Sequence, residues 1–137
     1  KAALQKKTVN MLGDLTQPHS FTYVKDFGKA LAIAGTDERA IGKIWHVPSG
    51  KPYTQSELAE MLSKELGYQV KTRAAGKTML SIIGLFNKEV KGVIEMLYEY
   101  NEPFIMNSDL MESTFELKAT LMEQRIRETL EWAKTRL

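Results

Sequence analysis

The most regular alternation of apolar and polar residues lies between residues 54 and 67. Thr54-Gln-Ser-Glu57 has the form of a capping box, in which the threonine and the glutamate each satisfy a backbone N–H at the start of a helix. Apolar residues then recur three or four positions apart, at Leu58, Met61, Leu62 and Leu66. Gly67 stands where a left-handed residue commonly ends a helix. The pattern predicts an amphipathic helix between the cap and this glycine.

Further segments of the chain also carry helical patterns. Asp26 is predicted to cap a short helix that runs through Ala34 and ends at Gly35. A helix from about Asn87 to Tyr100 follows the apolar segment Met79–Phe86, and a short helix is predicted over Ser108–Phe115. The last helix opens with a second capping box, Thr120-Leu-Met-Glu123. The predicted apolar stripes are Phe27, Leu31 and Ala34 in the first of these helices, Val90, Val93, Ile94, Leu97 and Tyr98 in the second, and Met122, Ile126, Leu130, Ala133 and Leu137 in the last.

Short runs of β-branched and aromatic residues predict strands between the helices. The predicted strands are Thr8–Leu12, Ser20–Val24, Lys43–Val47 and Tyr68–Arg73, with Phe104–Met106 as a shorter one. Lys1–Lys7 has the pattern of the tail of a helix. No repeat or linker divides the sequence, so we predict a single unit over residues 1–137. In isolation this unit would be an α+β arrangement in which helices outnumber strands.

The composition excludes several kinds of chemistry. The 137 residues include no cysteine and two histidines, which excludes disulfides and thiolate metal sites and argues against a histidine-rich metal site. We therefore predict no metal. The absence of disulfides fits a cytoplasmic protein. The longest uncharged stretch, around residues 79–86, is about half of the roughly 20 residues that a bilayer requires, so no membrane partner is expected.

The net charge is small but unevenly distributed. At +2 it is too low for binding driven by counterion release, so no nucleic-acid partner is expected. Residues 1–93 carry 14 basic and 8 acidic side chains, whereas residues 94–137 carry 5 basic and 9 acidic ones. Two differently solvated faces explain the asymmetry, and a basic side that faces phosphate is the alternative.

The sequence contains no recognisable reaction centre. Its nine glycines are scattered, whereas dinucleotide fingerprints and Walker loops need closely spaced glycines before a helix. No tyrosine is followed by a lysine four positions later, the spacing that would place an acid–base pair on one helix face. We therefore predict no catalytic and no cofactor-binding residue in this chain.

A few side chains have both a structural and a ligand-binding interpretation. His19 lies in a predicted turn, where it faces either a ligand or water. Phe21 and Tyr23 alternate with polar residues, so their rings pack either in the core or against a ligand. Tyr98 belongs to an apolar stripe but has a phenol that needs a partner, in the core or in a pocket. His46 is predicted to be a hydrogen-bonded structural residue.

Five motifs follow one another in a characteristic order. They are Gly13–Asp26 with Gly28–Leu31, Gly42–Pro48, Thr54–Gly67, Glu95–Phe104 and Thr120–Trp132. This order resembles the region that leads into and forms the substrate-binding part of the NAD(P)-dependent epimerase/dehydratase family, the extended short-chain dehydrogenase/reductases. The resemblance covers nearly the whole chain but only the C-terminal part of a family member.

The resemblance implies an α/β enzyme of Rossmann type, of which this chain is the helix-rich, substrate-binding C-terminal lobe. A Rossmann domain ahead of Lys1 would bind NAD or NADP and carry the glycine-rich loop and the Tyr-x-x-x-Lys pair. The chain would then be a fragment, inactive alone, whose partners are a small-molecule substrate and its own Rossmann domain. Self-association through the uncovered face is an alternative to a monomer. The substrate-binding residues implied in this way are His19, Ser20, Phe21, Tyr23 and Tyr98.

One departure from the family pattern narrows the implied substrate. Sugar-nucleotide members tend to carry Arg-Asp where this chain has His19-Ser20, and the arginine reaches the substrate diphosphate. A neutral imidazole offers at most one donor, so the change favours a smaller or less charged carbonyl or hydroxyl compound, sugar-related or not. A second function stays open, that of a non-catalytic regulatory or interaction module that senses NAD(P).

Overall fold

Two short strand pairs and a set of helices form the fold. The computed structural model describes residues 1–85 and 87–136. The strands are β1 (Val9–Leu12), β2 (Pro18–His19), β3 (Tyr53–Thr54) and β4 (Thr72–Ala75). β1 runs parallel to β4, with Val9 opposite Thr72 and Leu12 opposite Ala75. β2 runs antiparallel to β3, with His19 opposite Tyr53.

Helices contribute most of the regular structure. They are α1 (Val24–Thr36), α2 (Gln55–Leu66), α3 (Lys77–Gly84), α4 (Lys88–Glu95), α5 (Tyr98–Asn101), α6 (Asp109–Phe115) and α7 (Met122–Lys134), with a short 3-10 helix at Glu38–Ala40. The predicted helix-rich mixture of helices and short strands is thus confirmed. Within the described ranges, no helix combines the length and the apolar character that crossing a bilayer requires.

The capped helix predicted from local signals is present as α2. The backbone N–H of Glu57 donates to Thr54 Oγ1 at 3.0 Å, and the N–H of Thr54 donates to Glu57 Oε2 at 2.7 Å, so the capping box is complete. Gly67 ends the helix with a φ of 73°, in the left-handed region that glycine adopts at little cost. Local hydrogen bonding alone accounts for both ends of this helix.

The predicted helix over residues 87–100 is interrupted before its end. α4 stops at Glu95, and the backbone N–H groups of Leu97 and Glu99 then bond three residues back, to Ile94 and Met96. Such i→i+3 bonds tighten the turn and rotate the following residues about the axis. Leu97 lies in a small core with Ala75 and Leu80, as its place on the predicted stripe requires. Tyr98, predicted on the same buried stripe, is instead 58% exposed.

Two predicted strands are wrong. Residues 20–23 form no strand, although the Ser20 N–H donates to the Phe104 carbonyl at 2.9 Å, and the chain enters α1 at Val24. Lys43–Val47 is irregular, and Ile44 is largely exposed. This second segment is held instead by the Trp45 indole, which donates to the Ala40 carbonyl at 2.9 Å, and by His46. His46 Nδ1 lies 2.9 Å from the Asn107 carbonyl oxygen, so the predicted hydrogen bond of this histidine is confirmed.

The remaining strand predictions are correct in part. Thr8–Leu12 corresponds to β1, whereas Tyr68–Arg73 overlaps only the start of β4. Of Phe104–Met106, only Phe104 pairs, in an isolated bridge with His19. Lys1–Lys7 forms turns rather than the tail of a helix, and Lys6 has a positive φ of 55°. Phe86 and Leu137, which the sequence placed in apolar segments, lie outside the described residues.

Two predicted helix caps are also wrong. Tyr23, not Asp26, occupies the cap position of α1, and Asp26 lies in the first turn with its side chain fully buried. Leu121, not Thr120, precedes α7, which has no side-chain cap. The side chains of Asp26 and Thr120 hydrogen-bond to each other instead, because the tertiary fold brings the starts of the two helices together.

Candidate functional site

A cavity of about 230 Å³ lies where β2 and β3 meet the end of α5. Its lining combines aromatic rings with a few polar groups. The residues that line it are His19, Ser20, Phe21, Gln55, Glu99, Tyr100 and Phe104. The structure thus brings together His19, Ser20 and Phe21, three of the residues implied as substrate-binding.

His19 is held in this cavity from several sides. Its backbone is paired on both flanks, with Tyr53 across the β2–β3 ladder and with Phe104 in the isolated bridge. Its ring nitrogen Nε2 lies 2.7 Å from the carbonyl oxygen of Glu99. The residue is only 9% exposed. Its position is therefore set by both backbone pairing and a side-chain hydrogen bond.

Ser20 and Phe21 continue the same extended segment along the cavity. The Ser20 hydroxyl oxygen accepts a hydrogen bond from the backbone N–H of Met106 at 3.0 Å. The Phe21 ring meets the His19 ring edge-on, with the ring centroids 6.3 Å apart. The Phe21 carbonyl accepts a hydrogen bond from Arg125 Nη1 at 2.6 Å. Arg125 of α7 therefore anchors the segment that carries both residues, although its own side chain does not line this cavity.

The position of Tyr100, which lines the cavity, depends on a close contact with the backbone at Gly13. Gly13 has a φ of 65°, and a β-carbon added there would lie 2.6 Å from Tyr100 Cβ and 2.8 Å from the Tyr100 carbonyl oxygen. Beside it, the backbone N–H of Asp14 donates to the same carbonyl at 3.1 Å. The turn after β1 can thus approach Tyr100 only because residue 13 has no side chain.

Tyr23 and Tyr98 lie outside this cavity. Tyr23 is half-buried, and its hydroxyl donates to Glu128 Oε2 at 2.6 Å. Tyr98 lies on the exposed side of α5. Neither tyrosine therefore lines this cavity together with His19, Ser20 and Phe21, with which the resemblance grouped them.

Tyr23 belongs to a charged cluster between the start of α1 and the middle of α7. Lys25 Nζ lies 2.6 Å from Glu128 Oε2. The hydrogen bond from Lys25, with further ones from Tyr23 and Gln124, lowers the pKa of the Glu128 carboxyl to about 2. Burial and the neighbouring Glu128 raise the pKa of the Tyr23 phenol. The Tyr23 hydroxyl is thus engaged in a hydrogen bond that joins the start of α1 to α7.

A second, larger cavity of about 440 Å³ lies between the first residues of the chain, α2 and α7. Its lining is mostly apolar. The residues that line it are Lys1, Ala3, Leu4, Phe21, Thr22, Tyr23, Leu58, Leu62, Met122, Arg125, Ile126, Thr129, Leu130 and Ala133. The apolar stripes predicted for α2 and α7 face each other across this space. Phe21 contributes to both cavities.

Four residues of the smaller cavity were missed by sequence reasoning. In the sequence, Gln55 stands out only as part of the capping box. In the structure, its side-chain amide donates a hydrogen bond to the Leu12 carbonyl at 2.8 Å. Glu99, Tyr100 and Phe104 come from a segment about 80 positions beyond His19. No local signal links these segments, because pairing between them depends on how the whole chain folds.

The described residues offer no cluster for metal binding. Within residues 1–85 and 87–136, no group of three or more His, Asp or Glu side chains could hold a metal ion.

Comparison with known proteins settles the fold. No protein-family model matches the chain, and no curated protein matches its sequence. A crystal structure of UDP-glucuronic acid 4-epimerase from Bacillus cereus in complex with UDP-glucuronic acid and NAD superimposes with a TM-score of 0.72 and 16% sequence identity, covering 99% of this chain. The chain has the fold of the C-terminal part of an epimerase/dehydratase. The resemblance stated from the motifs is confirmed at this level.

The match concerns only part of the epimerase. This chain spans 38% of the length of that structure. A second structure of the same Bacillus cereus enzyme, in complex with NAD, matches with a TM-score of 0.49 and 20% identity, covering 93% of this chain and 37% of that one. The fold of the first structure is shared over 99% of this chain, whereas UDP-glucuronic acid and NAD are ligands of the neighbour.

Proposed function

We propose that this chain is the substrate-binding portion of an NAD(P)-dependent oxidoreductase, epimerase or dehydratase. The observation that carries the proposal is the smaller cavity, in which His19, Ser20 and Phe21 meet Tyr100 and Phe104. A concave site with aromatic walls and a few directed polar groups is typical of small-molecule recognition. Its place in an epimerase fold supports a role in holding the reactant.

The lining of the cavity favours a small, uncharged substrate. Among the side chains that the structure describes, no lysine or arginine lines it. A phosphate or diphosphate would therefore lose its hydration without gaining the charge-assisted hydrogen bonds that usually replace it. At about 230 Å³ the cavity is also below the roughly 300–1,000 Å³ typical of sites for drug-sized ligands. We assign it a carbonyl or hydroxyl compound of about monosaccharide size.

The cofactor and the catalytic groups are assigned to residues outside this chain. A preceding Rossmann domain would bind NAD or NADP, supply hydride transfer through the nicotinamide, and carry the Tyr-x-x-x-Lys pair. The first test assays this 137-residue chain with each nicotinamide cofactor. We expect no turnover and no tight cofactor binding, and tight binding by the chain alone would contradict this division of labour.

Reading the coding sequence upstream of Lys1 separates the enzyme from its alternative. A glycine-rich loop followed by a Tyr-x-x-x-Lys pair supports the enzyme. A glycine-rich loop without that pair favours the non-catalytic regulator. A start codon directly ahead of Lys1 refutes the proposal.

A variant of the parent enzyme tests the site itself. Phe104→Ala removes an aromatic wall of the smaller cavity and leaves the lining of the larger one intact, so we expect KM for the substrate to rise about tenfold. Phe115→Ala is the matched control, because Phe115 packs on Trp45 with the ring centroids 4.8 Å apart and does not line the cavity. Equal effects of the two substitutions on KM would refute the assignment of this cavity to the substrate.

A further inference from the structure

The hydrogen bond between His19 and Glu99 defines the state of the histidine ring. The partner of Nε2 is a backbone carbonyl oxygen, 2.7 Å away. A carbonyl oxygen accepts hydrogen bonds and cannot donate them, so the proton of this bond belongs to Nε2. In a neutral imidazole the other ring nitrogen then carries no proton and is an acceptor. Nδ1 of His19 is therefore a hydrogen-bond acceptor whenever the ring is neutral.

This acceptor is left without a partner by the protein. Among the residues that the structure describes, none donates a hydrogen bond to His19 Nδ1. His19 as a whole residue is nevertheless nine-tenths buried, and no side-chain nitrogen or oxygen that is shut off from solvent in the described part of the chain lacks a partner. Nδ1 must therefore reach open space, and the open space that His19 lines is the smaller cavity.

We propose that the ligand of this cavity donates a hydrogen bond from a hydroxyl or amino group to His19 Nδ1, and that this acceptor selects neutral polyhydroxy compounds against phosphates. The inference rests on the proposed function, since it treats the cavity as the substrate site. A buried polar group left unpaired in a complex costs affinity. A phosphate oxygen facing the lone pair of Nδ1 would leave two acceptors opposed.

The neighbouring groups strengthen the selection. The described lining of the cavity contains no lysine or arginine, and the Ser20 hydroxyl oxygen already accepts from Met106, which leaves its proton free to donate. An acceptor on His19 and a donor on Ser20, one residue apart, match a sugar hydroxyl, which both donates and accepts. A phosphate could use only the second of these two groups.

The test measures ring state and ligand preference on the same sample. Long-range proton–nitrogen NMR of the isotope-labelled 137-residue chain, at about pH 8 to keep imidazoles neutral, reports which ring nitrogen of His19 is protonated. Methyl β-glucopyranoside and glucose 1-phosphate are then titrated as probes, with backbone amide shifts of the cavity residues as the binding readout. We expect protonated Nε2, and binding of the neutral probe at least about tenfold tighter than that of the phosphate.

Two substitutions separate the two ring nitrogens. His19→Gln retains an amide near the position of Nε2 that can donate to Glu99, but removes the acceptor at Nδ1. We expect it to weaken binding of the neutral probe about tenfold. His19→Asn places an amide oxygen near the position of Nδ1 and loses the Glu99 bond, so binding should stay within about threefold of the wild type.

The outcomes distinguish failure of the inference from failure of the proposed function. A proton on Nδ1 in place of Nε2, or tighter binding of glucose 1-phosphate, overturns the inference and leaves the cavity as a substrate site. Equal binding by the glutamine and asparagine variants also overturns it. If neither probe shifts any cavity residue, the proposed substrate site fails, and the inference fails with it.

Discussion

Asp26 and Thr120, separated by 94 positions, are joined by two hydrogen bonds at the buried meeting point of α1 and α7. The backbone N–H of Thr120 donates to Asp26 Oδ2 at 2.8 Å, and its hydroxyl donates to Oδ1 at 2.7 Å. Arg125 Nη2 lies 4.0 Å from the same carboxylate, and Arg125 also donates to the carbonyls of Thr120 and Phe21. The contact thus links the helix packing to the segment that lines the smaller cavity.

Substitution of Asp26 is therefore expected to be strongly destabilising. Asp26→Asn leaves the buried Arg125 guanidinium without its counter-charge, which typically costs about 3–5 kcal/mol when one partner of a buried pair is lost. Urea unfolding of the variant and the wild type measures the loss. Glu60→Gln, an exposed change of the same chemical kind, should stay within about 0.5 kcal/mol of the wild type. A loss below about 1 kcal/mol for Asp26→Asn would show that the carboxylate is not needed there.

The acid stability of the protein should depend on Glu128. Its pKa lies at about 2 in the fold, below the ordinary value of 4.5, so the carboxylate contributes stability that is complete above the ordinary value and is lost as the pH falls toward 2. Glu128→Gln removes this contribution. We expect its Tm to be lower than that of the wild type by a constant amount above about pH 5, with the difference shrinking as the pH falls toward 2.

A thermal melt series over this pH range makes the comparison. Glu131→Gln, an exposed position on the same helix, provides the control for a general loss of negative charge. Asp37, whose pKa the neighbouring Arg39 also lowers to about 2, titrates in the same range in every variant and cancels in the difference. A Tm difference that does not change with pH would contradict the role of the Glu128 carboxylate.

The close approach of Gly13 to Tyr100 predicts an unequal effect of two matched substitutions. Gly13→Ala and Gly67→Ala both place alanine at a positive φ, of 65° and 73°, at a cost of roughly 1 kcal/mol each. Only at Gly13 would the new methyl group meet other atoms, since nothing lies within 4 Å at Gly67. We expect Gly13→Ala to be the more destabilising in urea unfolding and to shift the NMR signals of the cavity residues. Equal free energies of unfolding for the two variants would contradict this contact.

The exposed apolar stripe of α1 predicts self-association of the isolated chain. Val24, Phe27 and Leu31 follow one another at helical spacing and are 73%, 46% and 58% exposed. We expect light scattering to show a molar mass that rises with protein concentration, because covering such a stripe removes apolar surface from water. Phe27→Glu combined with Leu31→Glu should restore a monomer, whereas Ile44→Glu, on an exposed loop, should not. A strict monomer at all concentrations would refute the prediction.

The prediction of α2, which rests on residues close together in the chain, is confirmed, whereas the predicted strand over Ser20–Val24, which depends on more distant partners, is wrong. α2 was predicted correctly because Thr54, Glu57 and Gly67 carry the start and stop signals within one short segment. Ser20–Val24 has the composition of a strand, but a strand also needs a neighbour, and its side chains bond elsewhere: Thr22 to Ser49 and Tyr23 to Glu128. Tyr98 does not lie on its predicted stripe because a tighter turn at residues 96–97 rotates the residues that follow it about the helix axis. The spacing of apolar residues in the sequence does not reveal such a turn.

The residues that line the smaller cavity also fall into a group that the sequence places together and a group that only the fold brings together. His19, Ser20 and Phe21 are adjacent in the chain, so one motif was enough to group them. Gln55, Tyr100 and Phe104 join them only through the β2–β3 pairing, the His19–Phe104 bridge and the His19–Glu99 hydrogen bond. The bond to Glu99 also defines which nitrogen of His19 is an acceptor, and residue identity alone leaves that open.

Amino-acid order alone was therefore sufficient for the family resemblance, the capped helix and the lack of a glycine-rich loop, because each depends on residues close together in the chain. The partners of Asp26, Thr120 and His19 were decided by tertiary structure. A buried hydrogen-bonding group takes whichever partner the packed helices and strands bring within reach, and for these three residues that partner lies 80 or more positions away.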